Sequence, residues 1–129
     1  GSIVLTSSTA GLYGFPNRAP YAAAKWGIIG LMKTLAMEWG PEGVRANAIC
    51  PGAVEGPRMQ GVMEREAAAK GTSYQHIYDG YAGGTSMRSL VTAEDVANMA
   101  LFLCSKGARL VSGQVIAVDG HTENPDPKV

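Results

Sequence analysis

Residues 3–52 read "IVLTSSTAGLYGFPNRAPYAAAKWGIIGLMKTLAMEWGPEGVRANAICPG", and the order of patterns within this stretch decides the fold. "IVLTS" (3–7) is a short β-branched run closed by small polar residues, as in a buried strand. A loop with Gly11, Gly14, Pro16 and Pro20 follows. From Tyr21 to Trp39 the apolar residues Trp26, Ile29, Met32, Leu35, Ala36 and Trp39 recur at three- and four-residue steps, which predicts a long amphipathic helix. "GPEG" (40–43) ends it, because Pro41 cannot continue the hydrogen-bond ladder. "VRANAIC" (44–50) predicts a second strand, ended by Pro51-Gly52. Two strands joined by a helical crossover pair in parallel.

The pattern continues outward. Residues 53–90 are the least regular part, with mixed charges and short helices expected over 59–70 and 73–80. "TAEDVANMALFLCS" (92–105) carries a helix start: Thr92 suits the N-cap, and Glu94 and Asp95 fall in the first turn. "SGQVIAVDG" (112–120) predicts a third strand, and "HTENPDPKV" (121–129) a polar, proline-interrupted tail, extended or disordered. The sum is an α/β fold with a parallel sheet. Ligands of such sheets sit beyond the carboxyl ends of the strands. Ser7-Ser8, Pro51-Gly52 and the start of the long helix all fall at that edge.

Composition narrows the partners. The chain has 129 residues, 46% hydrophobic and 17% charged, which suits one globular domain. Eleven basic residues balance eleven acidic ones, so no general attraction to nucleic acid or anionic lipid is expected. Cys50 and Cys104 both lie in apolar runs and read as buried free thiols of a reducing compartment. No cysteine or histidine spacing points to a metal, and no apolar run approaches the roughly 20 residues that span a bilayer. Nor does the start resemble a signal peptide, so the expected location is cytoplasmic.

"YAAAKWG" (21–27) carries the chemistry. Tyr21 and Lys25 are four residues apart and share one helix face. An ammonium beside a phenol favours the phenolate, which suits a general acid/base for an alcohol or carbonyl. Such a pair is commonly no more than a surface contact. Ser8, thirteen residues earlier at a strand end, adds a hydroxyl for the same substrate oxygen; Ser7 is its rival for that role.

Taken in order, Ser8, the Tyr21-Ala-Ala-Ala-Lys25 segment, "VRANAICPG" and "SGQVIAVDG" resemble the classical short-chain dehydrogenase/reductase family over nearly the whole chain. The resemblance implies a Rossmann-like doubly wound parallel sheet, of which residues 1–120 supply the C-terminal strands and helices. It implies an NAD- or NADP-dependent oxidoreductase interconverting a secondary alcohol and a ketone on a small molecule. Tyr21 would transfer the proton, Lys25 would assist it and hold the nicotinamide ribose, and Ser8 would steady the substrate oxygen. Pro51, Gly52 and Val54 would receive the carboxamide. Residues 53–90 would form a substrate lid, with Arg58, Met59, Tyr74, Tyr78, Tyr81 and Met87 as candidates; ordinary packing is the competing reading for each. Family members commonly form homo-dimers or homo-tetramers through the long helix and the last strand.

Two departures stand out. Gly56 occupies a place where the family often has a threonine whose hydroxyl helps hold the carboxamide. No glycine-rich turn follows a strand and opens a helix, the device that seats a pyrophosphate. The expectation is therefore a C-terminal half that needs an N-terminal half or a partner chain. The alternative is a truncated or decayed relative acting as a non-catalytic assembly or binding module.

Overall fold

The computed structural model describes residues 1–125; the end of the predicted tail, 126–129, lies outside them. Three parallel strands, β1 (Ser2–Thr6), β2 (Arg45–Pro51) and β3 (Val115–Val118), form one sheet in that order. The register runs from Ser2 against Arg45 to Thr6 against Ile49, and from Ala48 against Val115 to Pro51 against Val118. A helix crosses between each pair, as parallel pairing demands.

The first crossover helix, α1 (Ala19–Trp39), starts with Pro20 in its first turn, where a missing N–H costs nothing. Met32 is 0% exposed and packs with Ala46 and Ala48 of β2 against Ile3, Leu5, Leu35, Ala36 and Val115. Burying a side chain of this size contributes about 1.5–3 kcal/mol. The predicted stripe holds only in part. Trp26 and Trp39 are 51% and 45% exposed, because Trp26 turns its indole towards the preceding loop, donating to the Tyr13 carbonyl (3.4 Å), and Trp39 ends the helix.

Past β2, residues 53–90 build a second small core. Helices α2 (Pro57–Lys70) and α3 (Tyr74–Gly83) enclose Met63, Ala67, Ile77 and Leu90. Thr92 then caps α4 (Ala93–Cys104) in a reciprocal box: its hydroxyl accepts from Asp95 N–H (3.1 Å), and its own N–H donates to the Asp95 carboxylate (2.8 Å). This helix touches all three strands. Cys50 is buried as expected, but Cys104 is exposed. It is the last residue of α4, where the apolar run outlasts the face that packs on the sheet.

Buried Asn47 bolts the entry to β3, donating to Val111 O (2.9 Å) and accepting from Gln114 N–H (3.1 Å). After β3 the predicted tail is partly pinned: Thr122 bridges Thr85, and the amides of Glu123 and Asn124 donate to Gly84 O at 2.8 and 2.9 Å. A Cβ on Gly84 would come within 2.7 Å of Asn124 O, so a glycine is needed there.

Candidate active site

The carboxyl ends of β1 and β2 and the first turns of α1 meet at one edge. Beyond β1, Ser8 N-caps a single 3₁₀ turn (Thr9–Gly11), its Oγ accepting from Ala10 N–H at 3.1 Å. That bond uses an acceptor lone pair and leaves the hydroxyl proton free to donate elsewhere. Ser7 is engaged differently. It is 3% exposed, its N–H donates to Ile49 O (2.8 Å), and its hydroxyl donates to the backbone carbonyl of Lys25 (2.8 Å). The strand end is thus tied to the helix turn that carries Lys25.

Tyr21 and Lys25 are neighbours on the α1 face, with Lys25 Nζ 5.6 Å from the centre of the Tyr21 ring. Lys25 Nζ also donates to Thr6 O (3.4 Å), the last residue of β1, and keeps two further protons for a ligand. Sequence reasoning missed Arg18, whose guanidinium lies 4.7 Å from the same ring centre. Two cations therefore flank one phenol, within cation–π range. The three-residue spacing from Arg18 to Tyr21 was the signal available.

The floor is Cys50, 0% exposed. Burial pushes its thiol up, while the Ser7 side chain, the Ser8 backbone and the Lys25 charge pull the other way. It is a packing residue beneath the serines.

Pro51 ends β2, and the Gly52 amide donates to Val118 O (3.0 Å). A Cβ on Gly52 would sit 2.9 Å from that of Asp119, so glycine permits this close approach of the chains. Val54 forms a parallel bridge with Val91. The bonds of that bridge run from Glu55 N–H to Val91 O (2.7 Å) and from Val91 N–H to Ala53 O (3.0 Å). The N–H and C=O of Val54 itself point away and have no backbone partner among the described residues. An amide donor and acceptor presented side by side fit a primary carboxamide.

The predicted lid residues divide. Met59, Tyr78 and Tyr81 pack against the second core, Tyr81 also donating to Glu66 (2.9 Å). Tyr74 is partly exposed, its ring 6.3 Å from that of Tyr78. Arg58 and Met87 are exposed. Gly56 has φ 155°, a region where a threonine would be strained. A cavity of about 630 Å³ lies at the opposite sheet edge among Gly1, Ser2, Val44 and Arg45, where strands begin and parallel sheets do not place their chemistry. No group of three or more metal-ligating side chains, and no helix long and apolar enough to cross a membrane, occurs among the described residues.

Residues 1–121 match the family model described as enoyl-(acyl carrier protein) reductase. The chain belongs to the short-chain dehydrogenase/reductase family. It is 40% identical over 120 residues to the 3-oxoacyl-[acyl-carrier-protein] reductase FabG of Thermotoga maritima, a match covering 93% of this chain and 44% of that protein. Among solved structures, a variant of the actinorhodin polyketide ketoreductase with NADPH superposes with a TM-score of 0.88 at 34% identity, covering 96% of this chain and 48% of that one. 4-Hydroxyisoleucine dehydrogenase, complexed with NADH, gives 0.73 at 28%, covering 94% and 45%. The chain spans about half the length of the relatives it matches, and its architecture is that of the Rossmann-fold members of this family.

Proposed function

We propose that the full-length protein is an NAD(P)-dependent short-chain dehydrogenase/reductase that interconverts a secondary alcohol and a ketone on a small molecule. The observation that carries this reading is the Tyr21–Lys25 pair, 5.6 Å from ammonium to ring centre, tied to the β1 end through Thr6 and Ser7.

The residues divide the work by position. Tyr21 gives its phenolic proton to the forming alkoxide, or takes one from an alcohol in the reverse direction. Ser8, whose hydroxyl proton is free, donates to the same oxygen. Lys25 holds ribose hydroxyls with its remaining ammonium protons. Val54 offers its free N–H and C=O to the carboxamide beside Pro51 and Gly52. A bound nicotinamide supplies or accepts the hydride. Both nucleotides remain open, since the relatives above include one solved with NADH and one with NADPH.

No segment of residues 1–129 has the strand–glycine turn–helix pattern that seats a pyrophosphate. A further half, on the same polypeptide or a partner chain, is proposed to hold that part of the nucleotide. Residues 53–90 are proposed as the substrate lid. Leu31, Met37 and the two tryptophans leave α1 with exposed apolar surface, which favours a homo-dimer or homo-tetramer; a monomeric mass for the full-length protein at micromolar concentration would refute that assembly.

The test of the chemistry is Tyr21→Phe in the full-length protein. Turnover is expected to fall by at least the 10²–10⁴-fold typical of a lost acid/base group, with nucleotide affinity within a few-fold of wild type. Undiminished turnover would remove Tyr21 from the mechanism.

A further inference from the structure

Another cavity, about 270 Å³, opens between the loop after β2, α2 and α3. Its floor is apolar: Met63 is 1% and Leu90 7% exposed, with Met59 beside them. One wall is aromatic, formed by Tyr74 and Tyr78 with rings tilted 42° to each other. At the mouth lies Glu55, the one charged residue among the lining side chains.

Several observations fix what this arrangement can accept. Glu55 is anchored through its backbone, its N–H donating to Val91 O at 2.7 Å. One carboxylate oxygen accepts from Tyr78 OH at 2.5 Å. That bond raises the Tyr78 phenol above its ordinary value, so the ring stays protonated and neutral. No cation answers the carboxylate, since neither ion pair among the described residues includes Glu55. The nearby amide of Gln60 is turned to Glu64 (3.1 Å).

We propose that this cavity is a subsite for a small organic ammonium group. A neutral apolar ligand seated here would strip water from Glu55 and return nothing, and an anion would be repelled. An alkylated ammonium answers the carboxylate and lies beside two tyrosine rings, groups that attract a cation placed over them. The methionine thioethers beneath suit the alkyl groups it carries. The volume falls just below the roughly 300–1,000 Å³ of pockets for drug-sized ligands, so it suits a small cation or the cationic end of a larger molecule. Binding of the cation does not depend on the oxidoreductase reading; its being part of the substrate does.

The test uses choline and its uncharged isostere 3,3-dimethyl-1-butanol as probes, titrated by calorimetry into the full-length protein at low ionic strength. Choline is expected to bind about tenfold or more tightly than the isostere. Glu55→Gln keeps the shape and an acceptor for Tyr78, and should bring the two probes to within about twofold of each other. Tyr74→Leu, on the exposed wall, should weaken choline and spare the isostere. Equal binding of the two probes by the wild-type protein, no choline binding at all, or a Glu55→Gln variant that keeps the full preference would each overturn the assignment. Tyr21→Phe separates the two levels. Unchanged choline binding in that variant supports the subsite whatever happens to turnover, and loss of choline binding there would place the cation in the catalytic cleft and overturn it.

Discussion

Gly11→Ala is expected to destabilise the protein, although the same change in an ordinary helical turn contributes about 0.5–1 kcal/mol of stability. Gly11 is the point where the 3₁₀ turn after β1 lies closest to α1. A Cβ built there sits 2.3 Å from Ser7 Oγ, 3.0 Å from Lys25 O and 3.2 Å from Ile29 Cδ1. Two of these atoms are the partners of the Ser7–Lys25 bond, so a methyl group must push that bond apart. Overpacking of this kind costs about 1–3 kcal/mol, and the neutral hydrogen bond is worth about 1. After deducting the usual gain, the net loss is about 2 kcal/mol, a large part of a total stability of about 5–15.

The structure also fixes how the effect combines with a second change. Ser7→Ala alone should cost about 1 kcal/mol, since Lys25 O, lying within α1, also accepts from the amide four residues on. With that hydroxyl gone, the contact at 2.3 Å disappears and only those at 3.0 and 3.2 Å remain. The double variant should therefore be less destabilised than the sum of the single ones, by about 1 kcal/mol. Urea unfolding of the full-length protein, at one fixed protein concentration, measures all four corners of the cycle. Additivity within about 0.3 kcal/mol, or a neutral Gly11→Ala, would refute the close approach.

The remaining predictions concern the cap of α4. Thr92→Ala should lower stability by about 1 kcal/mol, through loss of the acceptor for the Asp95 amide; an unchanged urea midpoint would count against the capping box. The bond from the Thr92 N–H, and then its side chain, hold the Asp95 carboxyl below its ordinary value. A group lowered on folding contributes stability above its unfolded value, near pH 4, and loses it as pH falls through the lowered folded value. The stability gap between wild type and Asp95→Asn should therefore close on acidification from about pH 5 to about pH 3; a gap that widened would reverse the assigned sign.

Where the forces are local, the sequence was legible. The Thr92 cap, the Pro41 stop and the three short strand segments depend on residues a few positions apart, and each element formed within a few residues of its expected place. Reading failed where the outcome depends on which face a neighbour covers. Trp26 sits on an apolar helical stripe and Cys104 in an apolar run, patterns that buried residues share, yet Trp26 faces a loop and Cys104 lies past the packed face of α4. The candidate site divides in the same way. That Tyr21 and Lys25 share one helix face was legible from their spacing, but that spacing alone reads as a surface pair, and the family resemblance supplied the chemistry. The tie from Ser7 to Lys25 and the bridge from Val54 to Val91 join segments far apart in sequence, and no local pattern announces them.

Gly56 is the most instructive case. Set beside the family pattern, it reads as a missing hydroxyl. In the structure it is a backbone requirement, with φ 155° at the N-cap of α2, a conformation essentially confined to glycine. The hydroxyl and this backbone angle exclude each other. The angle lets the chain leave the Val91 bridge and enter α2 directly after Glu55, and so leaves that carboxylate at the mouth of the tyrosine-walled cavity. On the proposed reading, carboxamide recognition would then fall to the backbone groups of Val54. The departure from the family pattern and the candidate cation subsite follow from one glycine.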